Sequence, residues 1–410
     1  MTMPPQTAAS TAGAAVPDLL SQSFARNPHP GYAALRRTGP VRWDAATECW
    51  YVTAYEDVNA LLRDDRLAAR IGAGFLGDHD RETWDGVSDV MGFFGSWPMF
   101  TDPPHHTTVR SAVASSYRLG AVRPLRAGIA ERAEALLAPL DPGSADLLAD
   151  FAQPLAVSVT CGLLGIAEEH RDELLAWSAE IIGFIGVPRL DPTRAPRARL
   201  AIARLREHLA TVTLPDARAG RGPGQLKAFL GLDENRASAL FAQILTGGIE
   251  PVVACLGSAL FHLLGPSRPL LDRARRGELE VGGLVEEALR LEAPFHFVPR
   301  TATRPVALRG QVIEPGQRVA LVVAAANRDP EVYAEPDRFR LPAPGLPERP
   351  HLAFGAGHHF CLGAGLARLT LVEAIRAVGN WVGDRPGGAV GGERGPAFGH
   401  TVWRRLGLGY

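Results

Sequence analysis

A mainly α-helical chain with a minor β region is what this sequence predicts, on three observations. From Pro104 to about Leu289, apolar residues recur at helical spacing, as in AVRPLRAGIAERAEALLAPL and RARLAIARLREHLATV. After Arg290 the pattern changes to short alternating segments around a Pro315–Gly316 turn, RTATRPVALRGQVIEPGQRVALVV, which reads as a small sheet. Near the other end, Val41 to Trp43 and Trp50 to Thr53 alternate as a strand pair, and a helix follows from about Tyr55.

Between these elements, NPHPGYAALRRTGPVRW predicts a short helix and a turn. Residues 70 to 101 are rich in glycine and aromatics with poor periodicity, so they read as a long loop. Its Phe93, Phe94 and Trp97 favour a packed, binding role. LPDARAGRGPGQ is a polar connection, and the irregular, proline-dense stretch from Asp329 to Pro350 leads to a glycine-rich loop and one more helix. With no internal repeat, residues 21 to 410 form one domain behind a disordered lead-in, residues 1 to 20. That lead-in has neither the basic nor the apolar region of a secretory signal.

Composition is that of an ordinary globular protein: 410 residues, 46% apolar, 21% charged, net charge −1. Such a balance argues against a nucleic-acid partner. Lys227 is the only lysine among 43 basic residues, a mark of codon usage rather than of function. The longest apolar run, Phe241 to Gly265, is interrupted by Glu250 and Pro251, so no membrane span is expected and the chain reads as cytoplasmic and monomeric. That run contains TGGIEPVVA, with Gly247, Gly248, Glu250 and Pro251 in close succession. Each is a poor choice for a helix interior, and the proline alone costs about 3 kcal/mol there.

Cys49, Cys161, Cys255 and Cys361 are widely spaced and match no CxxC pattern. The first three sit in apolar surroundings and read as inert core thiols. Cys361 differs. In FGAGHHFCLGAGLARL, Gly355, Gly357 and Gly363 flank it, and a good helical sequence follows at once. Glycines permit a tight loop against a flat partner. A cysteine at a helix mouth has its thiolate favoured by the helix dipole and by free N–H groups. Such a sulfur can bind a metal or attack an electrophile. Zinc held by Cys361, His358 and His359 is sterically awkward, because adjacent residues point to different sides. No supporting signature of a Cys–His nucleophile is present.

The six fixed positions of F-G-x-G-x-H-x-C-x-G, here Phe354, Gly355, Gly357, His359, Cys361 and Gly363, resemble the haem-binding loop of the cytochrome P450 family. Three further motifs fall in the family's order. EALR supplies Glu287 and Arg290 at i, i+3, on one helix face. RTA supplies Arg300, and DPPHHTTVR supplies His106 and Arg110 at i, i+4. The resemblance covers the chain from about Gly31 to its end.

It implies the cytochrome P450 fold, with haem b between a long distal helix and the cysteine loop. Cys361 would be the axial ligand, and His106, Arg110, Arg300 and His359 would serve the propionates. Glu287 and Arg290 would be buried with Arg338 of PDRF as support. The family's distal helix carries A/G-G-x-D/E-T, which Gly247, Gly248 and Glu250 match, whereas Pro251 stands at the threonine position. Glu250 would relay protons. Proline brings no hydroxyl and no N–H, so the Gly247 carbonyl is freed for water or substrate. By family position the substrate pocket would include Phe93, Phe94, Ile182, Gly247, His296 and Phe297.

The function implied is a soluble bacterial monooxygenase. It would use O2 and electrons from a ferredoxin and ferredoxin reductase to oxidise an organic small molecule, free or tethered to a carrier protein. Two alternatives stand beside it. One is a haem-thiolate enzyme doing oxidative coupling, cyclisation or peroxygenation. The other is a non-catalytic haem- or ligand-binding protein.

Overall fold

The long apolar run folds as one helix, Glu234–Leu264, of 31 residues, with Pro251 inside it. The Asp233 side chain caps it by accepting the Arg236 N–H. This computed structural model describes residues 18–69, 80–185, 191–342, 349–385 and 389–409. Eighteen residues of the long helix are buried. Helix Gln153–Leu164 packs closely on it: a Cβ at Gly248 would stand 2.6 Å from Thr160 Oγ1. Among the described residues two segments, Leu147–Leu164 and Glu234–Leu264, are long and apolar enough to cross a membrane, and both are core helices of this fold.

The strands are β1 Val41–Asp44, β2 Cys49–Val52, β3 Leu67–Ala68, β4 Val298–Ala302, β5 Val306–Leu308, β6 Gln311–Ile313, β7 Arg318–Leu321, β8 Ala389–Arg394 and β9 Trp403–Gly409. Strands from the two expected β regions join in one sheet, in the order β1-β2-β7-β4-β3, while β5 with β6 and β8 with β9 form separate pairs. Strand β2 pairs parallel with β7, with Trp50 opposite Val319, and β4 pairs antiparallel with β7, with Arg300 opposite the same residue. The Pro315–Gly316 turn forms, with Gly316 at φ +87°, but the strands beside it pair elsewhere: β6 with β5, β7 with β2 and β4.

One expectation is corrected. The stretch read as a loop to residue 101 contains helix Arg81–Phe94, capped by Asp80, whose side chain accepts the Thr83 N–H. Glycines 86 and 92 hid its periodicity, yet Val87, Val90, Phe93 and Phe94 form a buried stripe. Residues 70–79 of that stretch lie outside the described residues. So does the expected lead-in up to residue 17, while Leu19 is buried with Phe24 and Tyr32. The polar connection holds a short helix, Leu214–Arg218, before its turn.

Candidate active site

The loop before helix Ala364–Val382 is set by its backbone. Gly355 and Gly357 take φ +67° and +68°, the left-handed region that favours glycine. A Cβ on Gly357 would meet the Leu62 carbonyl at 3.0 Å. Gly363 has ordinary φ, and a Cβ there would only touch Cys361 Sγ at 4.0 Å. The Cys361 N–H donates to the Phe354 carbonyl at 2.9 Å, which fixes the sulfur at the helix mouth. Burial pushes the Cys361 thiol up, while the Gly363 and Ala364 N–H groups and the Arg110 and Arg368 guanidiniums pull it down. The Phe354 ring lies under Arg368, 4.5 Å from its guanidinium carbon.

Around this loop the structure gathers the predicted basic residues. The His106 and His359 rings meet at a 49° tilt with centroids 4.3 Å apart, and Arg110 donates to the Phe360 carbonyl at 2.6 Å. Arg300 is buried on β4 and donates to the Pro299 carbonyl at 2.9 Å. Burial, and then Asp102 in opposition, leave Arg300 at about 10. Burial pushes His359 down to about 3, and Arg300, His106, His358 and Arg110 add to that repulsion. His106 Nδ1 is buried without a partner. Asp102 is the carboxylate that acts here, and one of its oxygens accepts the Ala69 N–H.

In the middle of its buried length the long helix carries an accessible strip: Gln243, Gly247, Glu250 and Pro251. The spacing i, i+4, i+7, i+8 places them on one face. Glu250 is exposed, yet burial pushes its carboxyl up. Nothing lies within 4 Å of where a Gly247 Cβ would stand. The two glycines therefore divide their work: Gly248 admits Thr160 and helix Gln153–Leu164, and Gly247 borders open space.

A family profile for cytochrome P450 matches residues 282–375. The vitamin D(3) 25-hydroxylase of Pseudonocardia autotrophica is 33% identical over 393 residues, covering 92% of this chain and 91% of its own. The chain belongs to the cytochrome P450 family. The P450 monooxygenase PikC of Streptomyces venezuelae is likewise 33% identical, over 90% of this chain and 88% of its own. The crystal structure of P450BioI in complex with an acyl carrier protein ligated to hexadec-9Z-enoic acid superposes with a TM-score of 0.81. That match is at 27% identity and covers 94% of this chain and 99% of that one. This P450 is thus a haem-thiolate monooxygenase that uses O2.

The residues present fit that cofactor. Among the described residues, His106, Arg110, Arg300, His358 and His359 oppose one another's charge beside the Asp102 carboxylate, and an orphaned ring nitrogen lies among them, so two propionates would complete the charge balance. Cys361 remains accessible, with N–H groups directed at its sulfur.

The support beneath the loop differs in one respect from expectation. Arg290 holds Glu287 through two bonds, at 2.7 and 2.8 Å, and both are buried. The third arginine side chain is absent from this pair. Arg338 is exposed and pairs with Glu335, and only its carbonyl accepts from Arg290, at 3.0 Å. Arg290 also donates to the Asn327 and Pro336 carbonyls, and the Arg340 N–H donates to Glu287. Asn327 Oδ1 in turn accepts the Leu352 N–H at 2.7 Å, tying the pair to the start of the cysteine loop.

The expected pocket aromatics are elsewhere. Phe93 and Phe94 are fully buried with Trp97 and Phe184. They are core because the helix that carries them turns that stripe inward. Ile182 is half-buried against the same cluster. His296 is buried, with Nε2 3.1 Å from Thr401 Oγ1 and its ring against Tyr32, and Phe297 packs on Phe398. Phe295, between Pro294 and His296, is instead 48% exposed. Met99 is exposed too, and its N–H donates to Gln243 Oε1 on the accessible strip. Neither was legible from sequence: in PFHFV, strand alternation allows either register until the partner segment near residue 400 is known.

Proposed function

We propose that this P450 is a cytoplasmic monomer that oxidises an organic small molecule of specialised metabolism, with electrons delivered singly by a ferredoxin and its reductase. One relative is named for hydroxylating vitamin D(3), and one structural neighbour holds a fatty-acyl carrier protein. Both support an apolar substrate, free or carrier-bound. When bound, haem supplies the activation of O2 and the transfer of one oxygen atom. Cys361 would be its thiolate ligand, and His106, Arg110, Arg300 and His359 would hold its carboxylates. The Glu287–Arg290 pair fixes the loop through Asn327 and does no chemistry.

Proton supply falls to the strip on the long helix. Glu250 stands on the accessible face with its carboxyl raised by burial, which moves it toward the pH at which it can both take and give a proton. The strip itself, Gln243, Gly247, Glu250 and Pro251, carries no alcohol. The nearest helix threonine, Thr246, is buried and donates to the Ala242 carbonyl at 3.0 Å. Pro251 provides no N–H to the Gly247 carbonyl, which is left as an acceptor on the open face. A water or a substrate hydroxyl held there, in reach of Glu250, would carry the proton that a side-chain alcohol would otherwise carry.

The observation that carries this reading is the accessible Gly247–Glu250–Pro251 face without a free hydroxyl. Installing one, as Pro251→Thr, is expected to change the ratio of product to hydrogen peroxide under NADPH, ferredoxin and reductase; an unchanged ratio contradicts it. Pro251 also favours a second reading, oxidative coupling, ring formation or peroxygenation. Turnover sustained by hydrogen peroxide in place of the electron donors would identify the last of these.

A further inference from the structure

Helix Val281–Leu291 carries two consecutive acids, and they serve different partners. Glu287 binds Arg290 within the helix. Glu286 instead accepts two bonds from Arg368 on helix Ala364–Val382, Nε to Oε1 at 2.6 Å and Nη2 to Oε2 at 2.9 Å. Paired bonds of this kind fix the guanidinium in orientation as well as in place. His351 Nε2 lies 3.2 Å from the same Oε2. The Ala353 N–H donates to His351 Nδ1 at 3.2 Å, so the ring's proton sits on Nε2, facing the carboxylate. Burial opposes the ionisation of Glu286, but Arg368 and His351 hold its carboxyl down to about 2.

The guanidinium that Glu286 holds reaches the cysteine loop. Its carbon stands 4.5 Å from the centroid of the Phe354 ring, a cation over an aromatic face. The His351 ring meets the same phenyl at a 45° tilt, with centroids 5.7 Å apart. Phe354 is thus clasped through its side chain, while its carbonyl accepts the Cys361 N–H at 2.9 Å. Charge acts beyond these contacts. Arg110 and Arg368 both favour the Cys361 thiolate. Arg110 bonds the Phe360 carbonyl and is expected to serve a propionate. Arg368 is matched to Glu286 instead, and it is the member of that pair that lies on the Phe354 ring.

We propose that Arg368 is a positioning residue for electron uptake: its guanidinium, lying on Phe354, sets how readily the thiolate-bound haem accepts an electron, and Glu286 sets how much of that charge is felt. This rests on the haem-thiolate reading of the cysteine loop. Each electron taken from the donor adds one negative charge to the centre, with no bond made or broken there. A cation beside the loop favours that state, and a carboxylate opposes it. Removing one member of the pair should therefore move the equilibrium one way, and removing the other should move it back.

The test is the reduction potential of the holoenzyme, titrated with dithionite and mediator dyes. Arg368→Gln is expected to make reduction about fivefold less favourable, a fall of about 40 mV at about 59 mV per tenfold. Glu286→Gln should make it more favourable by a similar factor, and the double variant should return close to native. Arg368→Lys keeps the charge but not the fork, so its potential should stay within about twofold of native. A packing role alone would shift both single variants the same way or shift neither. Either result, or a fall in Arg368→Lys as large as in Arg368→Gln, would overturn the proposal. Where Arg368→Gln takes up no haem, Glu286→Gln decides alone, and a potential that does not rise overturns it. The reduced-CO spectrum keeps this failure distinct from failure of the haem-thiolate reading, since only the latter removes the thiolate band from the native protein.

Discussion

At the residue scale, adjacent glycines of the long helix have separable roles. A methyl at Gly248 would meet Thr160 Oγ1 at 2.6 Å and Cγ2 at 2.9 Å, with that side chain buried. Gly248→Ala is therefore expected to destabilise the fold by about 1–3 kcal/mol, as overpacking does. Thr160→Ala in the same chain should restore most of the loss, a coupling read from the melting temperatures of the four proteins. Gly247→Ala meets open space and gains about 1 kcal/mol of helix propensity, so its melting temperature should not fall. Equal losses at both positions would contradict the division. Glu250→Gln keeps the shape and removes the titratable proton, so turnover should drop about 100-fold, with the Soret spectrum unchanged.

At the element scale, the pair in helix Val281–Leu291 acts through what it ties down. Arg290 bonds Glu287 and three carbonyls in the 327–338 segment, and Asn327 passes that restraint to Leu352. Removing one partner strands a buried charge. Glu287→Ala should cost about 3–5 kcal/mol and lower the haem content of the purified protein. Arg338→Ala, whose side chain is exposed, should cost less than about 1 kcal/mol. Comparable losses from the two would mean that Arg338 belongs to the buried pair after all.

These elements also mark where the sequence is readable. The cysteine loop, its basic neighbours and the Glu287–Arg290 pair were legible because their spacing is local and their residue types are chemically restricted. The long helix was legible from its apolar run, and its anomaly at Pro251 from composition alone. Helix Arg81–Phe94 was not, since Gly86 and Gly92 interrupt a stripe that only packing against Phe184 makes visible. The single five-stranded sheet was not either, because β2 and β7 pair across more than 260 residues of chain. Arg338 misled because a motif names a side chain where the structure uses a backbone carbonyl. Phe295 was missed for want of its partner His400.

For the whole molecule, acid stability is set where four segments meet at Glu292. This buried carboxylate takes Arg394 at 3.0 Å, Arg328 at 3.1 Å, His29 at 3.2 Å and His262 at 3.8 Å. Burial opposes its ionisation, but His29, His262 and Arg394 hold it well below its ordinary 4.5. His296 beside it is held well below 6.5, chiefly by burial and then by His29. A histidine kept neutral in the fold takes its proton only when unfolded, so stability is full above pH 6.5 and falls below it. Glu292 adds a second loss below pH 4.5, as its carboxylate is titrated. The melting temperature should fall between about pH 7 and about pH 5, and less steeply in His296→Gln. A profile flat in both proteins would contradict this. The central claim is the cysteine at the helix mouth, and the most direct measurement is the reduced-CO difference spectrum of the native protein and of Cys361→Ser. The account predicts the long-wavelength Soret band of thiolate ligation in the first, and its loss, with haem retained, in the second. Absence of that band from the native protein, or its persistence in Cys361→Ser, would contradict it.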